Sequence, residues 1–464
     1  MAATPSDAKL KEELRAKFVG KTLTEVPTPS VVLDLRKLEV NCKRMLEATE
    51  RLGLLWRAHI KSHKTTELTR LQVGDDSTRP VSLIVSTIIE AENILPLLQE
   101  YQSRGRSVNV LFSFPLFPSS TLRLSSLLAA LGPNSLSLMV DHPSQLGPVS
   151  LISSASGHPP LVFLKIDTSY GRAGVAPSSP ACEALVDAIL AAEGRGECVL
   201  HGVYSHAGHS YGARGGVGDV VRYLEGEFEG LADVARVIAG KSARHKEGLV
   251  LSVGATPTAT VVQGQGVLEE EGRVGGLMRR LKEEGFRLEV HAGVYPTLDL
   301  QQLATHARDP SLMTADDVAI SVVAEVASIY PGRGANGTTE ALINAGTLAL
   351  GREPVTDKGK VPGQDYSGWG FLMPWGLDNP APGTDFPRVH NGWQVGRISQ
   401  EHGILTWQGN KDEEVPLQYG QRVRVWPNHS CIAGACFDWY LIIDSRNKGH
   451  EDEVVDVWPR WRGW

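Results

Sequence analysis

Eight short apolar runs recur through the first two thirds of the chain, at 56–64, 81–87, 108–114, 136–141, 161–167, 199–205, 249–253 and 288–292. No other feature restricts the fold as strongly. Most of the segments between them carry helical spacing of apolar residues, as at 90–101, 181–192, 220–238 and 277–284. Strand and helix alternating eight times predict a (β/α)8 barrel of the TIM type, with a doubly wound open sheet as the alternative. A further apolar run at 31–35 and an amphipathic stretch at 37–52 precede the series.

Composition changes near residue 310. Nine of the ten tryptophans fall in the last hundred residues, among glycines, prolines and short alternating runs. That is β-domain material. Strands are expected at 319–328, 340–344, 393–398, 404–407, 422–425 and 439–443, with long connections at 331–338 and 354–387. The resulting division is an N-terminal segment 1–27, an α/β barrel 28–310 and a C-terminal β-domain 311–464.

The formal charge of −7, without a basic block, argues against nucleic acid as a partner. The first 21 residues mix acidic and basic side chains and lack the apolar core of a secretory signal. No apolar run is long enough to cross a bilayer, so no membrane partner and a cytoplasmic protein are expected. Five cysteines, Cys42, Cys182, Cys198, Cys431 and Cys436, are too few and too uneven for a disulfide framework.

Chemistry concentrates where strands are expected to end, the functional face of a parallel barrel. The first strand reads W-R-A-H-I-K-S-H-K from Trp56 to Lys64. Strand alternation would put Arg57, His59, Lys61 and His63 on one face and Ala58, Ile60 and Ser62 on the other. Crowded cations lower an amine's pKa, and a neutral amine is what Schiff-base chemistry needs, which makes Lys61 the candidate nucleophile. The competing reading is a basic face for phosphate or solvent. The fifth exit, K-I-D-T-S-Y-G-R-A-G-V, carries Lys165, Asp167 and Arg172; the sixth, H-G-V-Y-S-H-A-G-H-S-Y, carries His201, Tyr204, His206, His209 and Tyr211. In the seventh, S-V-G-A-T-P-T, Gly254 and Thr256 suit an anion, and in the eighth, H-A-G-V-Y, Gly293 permits close backbone approach. Plain turns, a helix cap at Asp167 and packing tyrosines would account for each exit alone. Together, a strand lysine and a phosphate nest match the needs of pyridoxal phosphate. Finally, P-N-H-S-C places His429 and Cys431 two apart, able to face one metal ion, and a thiolate with an imidazole favours zinc. A structural histidine beside a buried free cysteine is the alternative.

With these residues assembled, the chain resembles the fold-type III pyridoxal phosphate enzymes, the alanine-racemase-like group, in the branch of D-serine dehydratase and D-threonine aldolase. The resemblance runs from Pro27 to about Ile443 and rests on R-A-H-I-K-S-H-K, Glu90-Ala91, Y-S-H-A-G-H-S-Y, S-V-G-A-T-P-T, H-A-G-V-Y, Gln400 to Gly403 and P-N-H-S-C. It implies that Lys61 carries the cofactor and that Tyr204, Tyr211, Thr256, Gly293 and Val294 hold it. Arg172 would lie near its ring, with zinc on His429 and Cys431. One departure is Val294, where the family commonly has asparagine; the change is harmless if only the backbone N–H serves there. The resemblance further implies a homodimer with active sites at the interface, and dehydration of a D-3-hydroxy amino acid, D-serine foremost, to a 2-oxo acid and ammonia. Retro-aldol cleavage of D-threonine is the nearest alternative, though those enzymes pair the histidine with a carboxylate. A non-catalytic pyridoxal phosphate carrier would lack the β-domain and the metal pair, and a zinc hydrolase would leave the lysine strand unexplained.

Overall fold

A computed structural model describes residues 5–213, 216–264, 272–308, 313–356, 366–377 and 392–464. Its strands in chain order are β1 (Ser30–Asp34), β2 (Leu55–His59), β3 (Val81–Val85), β4 (Val108–Pro115), β5 (Leu136–Val140), β6 (Leu161–Lys165), β7 (Val199–Tyr204), β8 (Val250–Val253), β9 (Arg287–Ala292), β10 (Ile320–Tyr330), β11 (Glu340–Ile343), β12 (Gly370–Leu372), β13 (Trp393–Ser399), β14 (His402–Trp407), β15 (Arg422–Pro427), β16 (Trp439–Ile443) and β17 (Val454–Pro459).

Strands β2 to β9 are parallel, and β2 pairs with β9 to close the ring. Closure excludes the open sheet. β5 and β6 are buried at every position, because one face meets the barrel interior and the other the surrounding helices. Those helices bury a single stripe: Leu38, Cys42 and Met45 on Leu35–Arg51, and Val220, Leu224, Phe228, Leu231 and Ala235 on Val217–Lys241. Inside the barrel Ile84, Leu111, Met139, Phe163, Tyr204 and Val250 pack together. Nearer the N-terminal mouth the guanidinium of Arg57 donates to Glu289 at 2.8 Å, both side chains removed from solvent, and to half-buried Asn109 at 2.7 Å. Removing either member of such a buried pair costs about 3–5 kcal/mol, because the other charge stays buried unpaired.

The second domain is a sheet in which β10, β11, β14, β13, β12 and β15 pair in a cycle, while β1, β16 and β17 extend from β10. All six expected C-terminal strands are present; β12 and β17 were not anticipated. The run at 31–35 lies within the stretch expected to be barrel, yet as β1 it pairs antiparallel with β10 and parallel with β16. An apolar run registers burial and leaves its partner unspecified. Much of the long connection expected at 354–387 falls outside the described residues.

The domains meet beside the last barrel strand. Gln301 N–H donates to Asn428 O at 3.1 Å, Thr297 Oγ1 to Ser430 Oγ at 3.0 Å, and Ser430 N–H to the Asp299 carboxylate at 2.9 Å. These bonds seat the segment after β15 on the segment after β9. No helix among the described residues is long and apolar enough to cross a membrane.

Candidate active site

Lys61 sits just past the C-terminal end of β2 and lines two adjoining hollows at the barrel mouth. One holds about 50 Å³ among His59, Lys61, His206, Tyr211, Thr256, His291, Gly293, Val294, His429 and Cys431. The other holds about 380 Å³ among Lys61, Phe114, Met139, Lys165, Arg172 and Tyr204. A larger hollow, about 550 Å³, opens at the opposite end of the barrel around Arg57, Asn109, His201 and Glu289. Among the described residues no lysine or cysteine lines that hollow.

The expected alternation around Lys61 holds only in part. β2 stops at His59, and a turn closed by Lys64 N–H to Ile60 O at 2.9 Å ends the period of two. His63 therefore turns away into the core, bonded to Thr65 and Gln72, with burial pushing it down to about 3. Lys64 pairs with buried Glu90 at 3.0 Å. Ser62, expected on the far face, receives the Cys431 thiol at 3.1 Å. His59, His206 and His291, from three different strand ends, share the hollow with Lys61. All three are held neutral, by burial first, with nearby cations, Lys61 among them, adding to the effect.

At the exits of β8 and β9, Thr256, Gly293 and Val294 converge with Tyr211. Val294 N–H donates to Thr256 Oγ1 at 3.1 Å, and the Tyr211 hydroxyl engages Thr256 and Gln302. Gly254 has φ of 148°, and a Cβ there would lie 2.1 Å from His291 O, so only glycine fits. Its amide, expected to face a bound anion, is taken up within the fold. It donates to Glu227, which also accepts from Ser205 Oγ, Ala207 N–H and Thr258 Oγ1. A Cβ on Gly293 would press on Ser62 Oγ and His59 O, crowding the turn that bears Lys61.

On the other side of Lys61, Tyr204 stacks on His291 with centroids 4.3 Å apart, and Arg172 lines the same hollow. Lys165 ends β6 with its Nζ over the Tyr204 ring.

His429 and Cys431 lie on the segment after β15, and both reach the hollow of Lys61. Although burial opposes it, the Cys431 thiolate raises His429 to about 9, and His429 in turn lowers the thiol. The pair is biased toward imidazolium and thiolate, and once the imidazole gives up its proton the two are the donor set of a soft metal site. His429 Nδ1 is buried without a hydrogen bond, 3.6 Å from Asp299 Oδ2. Among the described residues no three His, Cys, Asp or Glu gather around one point, so water and substrate would complete a metal's shell.

The residues assigned by the resemblance come to one barrel mouth: Lys61, Arg172, Tyr204, Tyr211, Thr256, Gly293, Val294, His429 and Cys431. Arg57 and His201, also expected among the functional groups, line the opposite end, and His63 lies in the core. Two that matter were not singled out. Asp299 carried a legible sign, an acidic residue before a short apolar helix that it caps. Glu227 carried none, because Glu225 and Glu229 flank it on the same helix and only packing distinguishes them.

A closed parallel barrel with a lysine at its first exit and a phosphate-sized cradle at its last two defines the class, a barrel enzyme of the pyridoxal phosphate type. The comparisons agree. Residues 33–279 match the model of the alanine racemase N-terminal domain, and residues 319–443 that of a putative serine dehydratase domain. The chain is 37% identical to the D-serine dehydratase of Schizosaccharomyces pombe, over 98% of this chain and 96% of that one. Among solved structures it resembles D-threo-3-hydroxyaspartate dehydratase from Delftia sp. HT23, at TM-score 0.72 and 26% identity over 96% of this chain and all of that one. A cysteine-to-alanine variant of that enzyme, described in its metal-free form, matches equally well, at TM-score 0.72. The chain belongs to the D-serine dehydratase branch of the alanine-racemase-like family of pyridoxal phosphate lyases.

Proposed function

We propose that this protein is a D-serine dehydratase, converting D-serine to pyruvate and ammonia with pyridoxal phosphate and zinc. The observation that carries the reading is a single hollow lined by Lys61, Tyr211, Thr256, Gly293, Val294, His429 and Cys431. Both groups suit the residues present. Lys61 offers an amine, and Tyr211, Thr256, Gly293 and Val294 form a neutral polar cradle for a phosphate, with Tyr204 and Arg172 toward the ring. The Val294 amide bonds the cradle residue Thr256, and to serve a phosphate it would exchange that bond. His429 and Cys431 would hold zinc. When bound, the cofactor supplies an electron sink for charge developing at Cα, and zinc a Lewis acid for the departing hydroxide.

The chain's own part is to hold and move protons. Lys61 takes the Cα proton, from a wall of neutral imidazoles that do not compete for it. The Cβ–O bond breaks and the departing hydroxide takes up the proton that Lys61 removed, leaving as water; hydrolysis of the released enamine by a second water gives pyruvate and ammonia. The carrier reading is disfavoured because the second domain delivers a thiolate and an imidazole into the lysine hollow. The aldolase reading is disfavoured because the second donor is a thiol rather than a carboxylate. Apolar side chains exposed near the mouth, Phe114, Tyr170 and Ile432, support the homodimer, and five free cysteines support a reducing compartment.

The test separates the two bonds. In deuterated water, chelated enzyme exchanges the Cα hydrogen of D-serine without forming pyruvate, and zinc restores the product. Release of glycine and acetaldehyde from D-threonine faster than pyruvate from D-serine would replace this reading with the aldolase one.

A further inference from the structure

Asp299 is fully buried and spends both carboxylate oxygens within the fold. Oδ1 accepts from Gln302 N–H at 2.9 Å and Oδ2 from Ser430 N–H at 2.9 Å. Each oxygen keeps a further lone-pair site. Oδ2 also lies 3.6 Å from His429 Nδ1, a buried ring nitrogen with no hydrogen-bond partner, and His429 lines the Lys61 hollow. An imidazole ligates metal through one nitrogen, and the group facing the other nitrogen selects its tautomer and fixes the plane of the ring. Asp299 is the only carboxylate in ion-pair range of His429 among the described residues.

Resting on the zinc reading of His429 and Cys431, we infer that Asp299 is a positioning residue for the metal: it receives Nδ1–H of His429 and thereby directs Nε2 into the hollow. The same carboxylate anchors Ser430 N–H, between the two ligands, to the barrel's last exit. One acidic side chain from the barrel so orients a ligand from the β-domain. A small shift of the ring on metal binding would close the 3.6 Å gap to Nδ1 to a hydrogen bond.

The experiment measures zinc affinity by chelator competition on the full-length holoenzyme, together with the absorption of the cobalt-substituted protein. Asp299→Asn should weaken zinc about 10- to 100-fold and alter the cobalt spectrum, with pyridoxal phosphate content retained. Thr297→Val removes a different bond between the same two segments, Thr297 to Ser430, without touching His429. It should leave zinc affinity and the cobalt spectrum as in the wild type. Equal weakening by both variants would reduce Asp299 to a clamp between domains, and unchanged affinity in Asp299→Asn would overturn the inference outright. If Asp299→Asn does not fold, a crystal structure of the zinc-loaded wild type decides: Nε2 on the metal with Nδ1 bonded to Oδ2 is expected, and metal on Nδ1 or on Asp299 itself refutes it. A wild type that binds no divalent metal would remove the zinc reading along with the inference, an outcome distinct from loss of the inference alone.

Discussion

Lys165 Nζ lies 4.7 Å above the centroid of the Tyr204 ring, at the end of the neighbouring barrel strand. A second amine thus faces the hollow that Lys61 lines. Burial, the largest cause, pulls Lys165 down to about 7; Arg172 assists and Glu227 opposes. In the unfolded chain a lysine titrates near ~10.4. Between about pH 7 and pH 10 the unfolded state therefore holds a proton that the native state has lost, and stability from this group rises with pH. Below pH 7 the native state must carry a buried cation. Lys165→Met should therefore raise the melting temperature most at pH 6, by about 2–4 °C for each kcal/mol removed. The gain should fade toward pH 10; a constant gain across that range would show that Lys165 titrates normally.

Two amines in one hollow make the attachment site a sharp question. Lys61→Ala should abolish the visible absorption of bound cofactor, and borohydride reduction of the wild type should label the peptide containing residue 61. Lys64 is engaged by Glu90, which leaves Lys165 as the rival. Label recovered at Lys165 would overturn the assignment.

Glu227 accepts four hydrogen bonds that strap the exits of β7 and β8 together. Glu227→Ala leaves these four buried donors without their acceptor, at a cost of at least about 1–3 kcal/mol. The urea midpoint should fall accordingly. Because Gly254 precedes the cradle residue Thr256, cofactor affinity by equilibrium dialysis should fall by up to about tenfold.

Purified protein should contain about one zinc per chain, the stoichiometry of a single site. His429→Ala with Cys431→Ala should lose it together with pyruvate formation. Stoichiometric zinc in that double variant would exclude both residues as ligands.

How legible the site was depended on distance along the chain. Lys61, Thr256, Gly293, His429 and Cys431 each announced themselves locally, by residue type at a strand end or by a spacing of two. The face that Lys61 would share was misjudged, because strand alternation was carried past His59 into a turn whose closing bond no local pattern revealed. Its basic neighbours proved to be His206 and His291, some 145 and 230 residues further on, in place of His63.

The sequence by itself determined the number of barrel strands, the β character of the C-terminal part and the chemical types at the mouth. Apolar periodicity and residue type are local properties, and burial of each element depends on them directly. Only the tertiary structure decided that β1 joins the second sheet, that the Gly254 amide belongs to Glu227, and that Asp299 faces His429 across 130 residues of chain. Those are pairings between segments, and a segment's own pattern fixes what it must bury or bond without fixing the partner that supplies it.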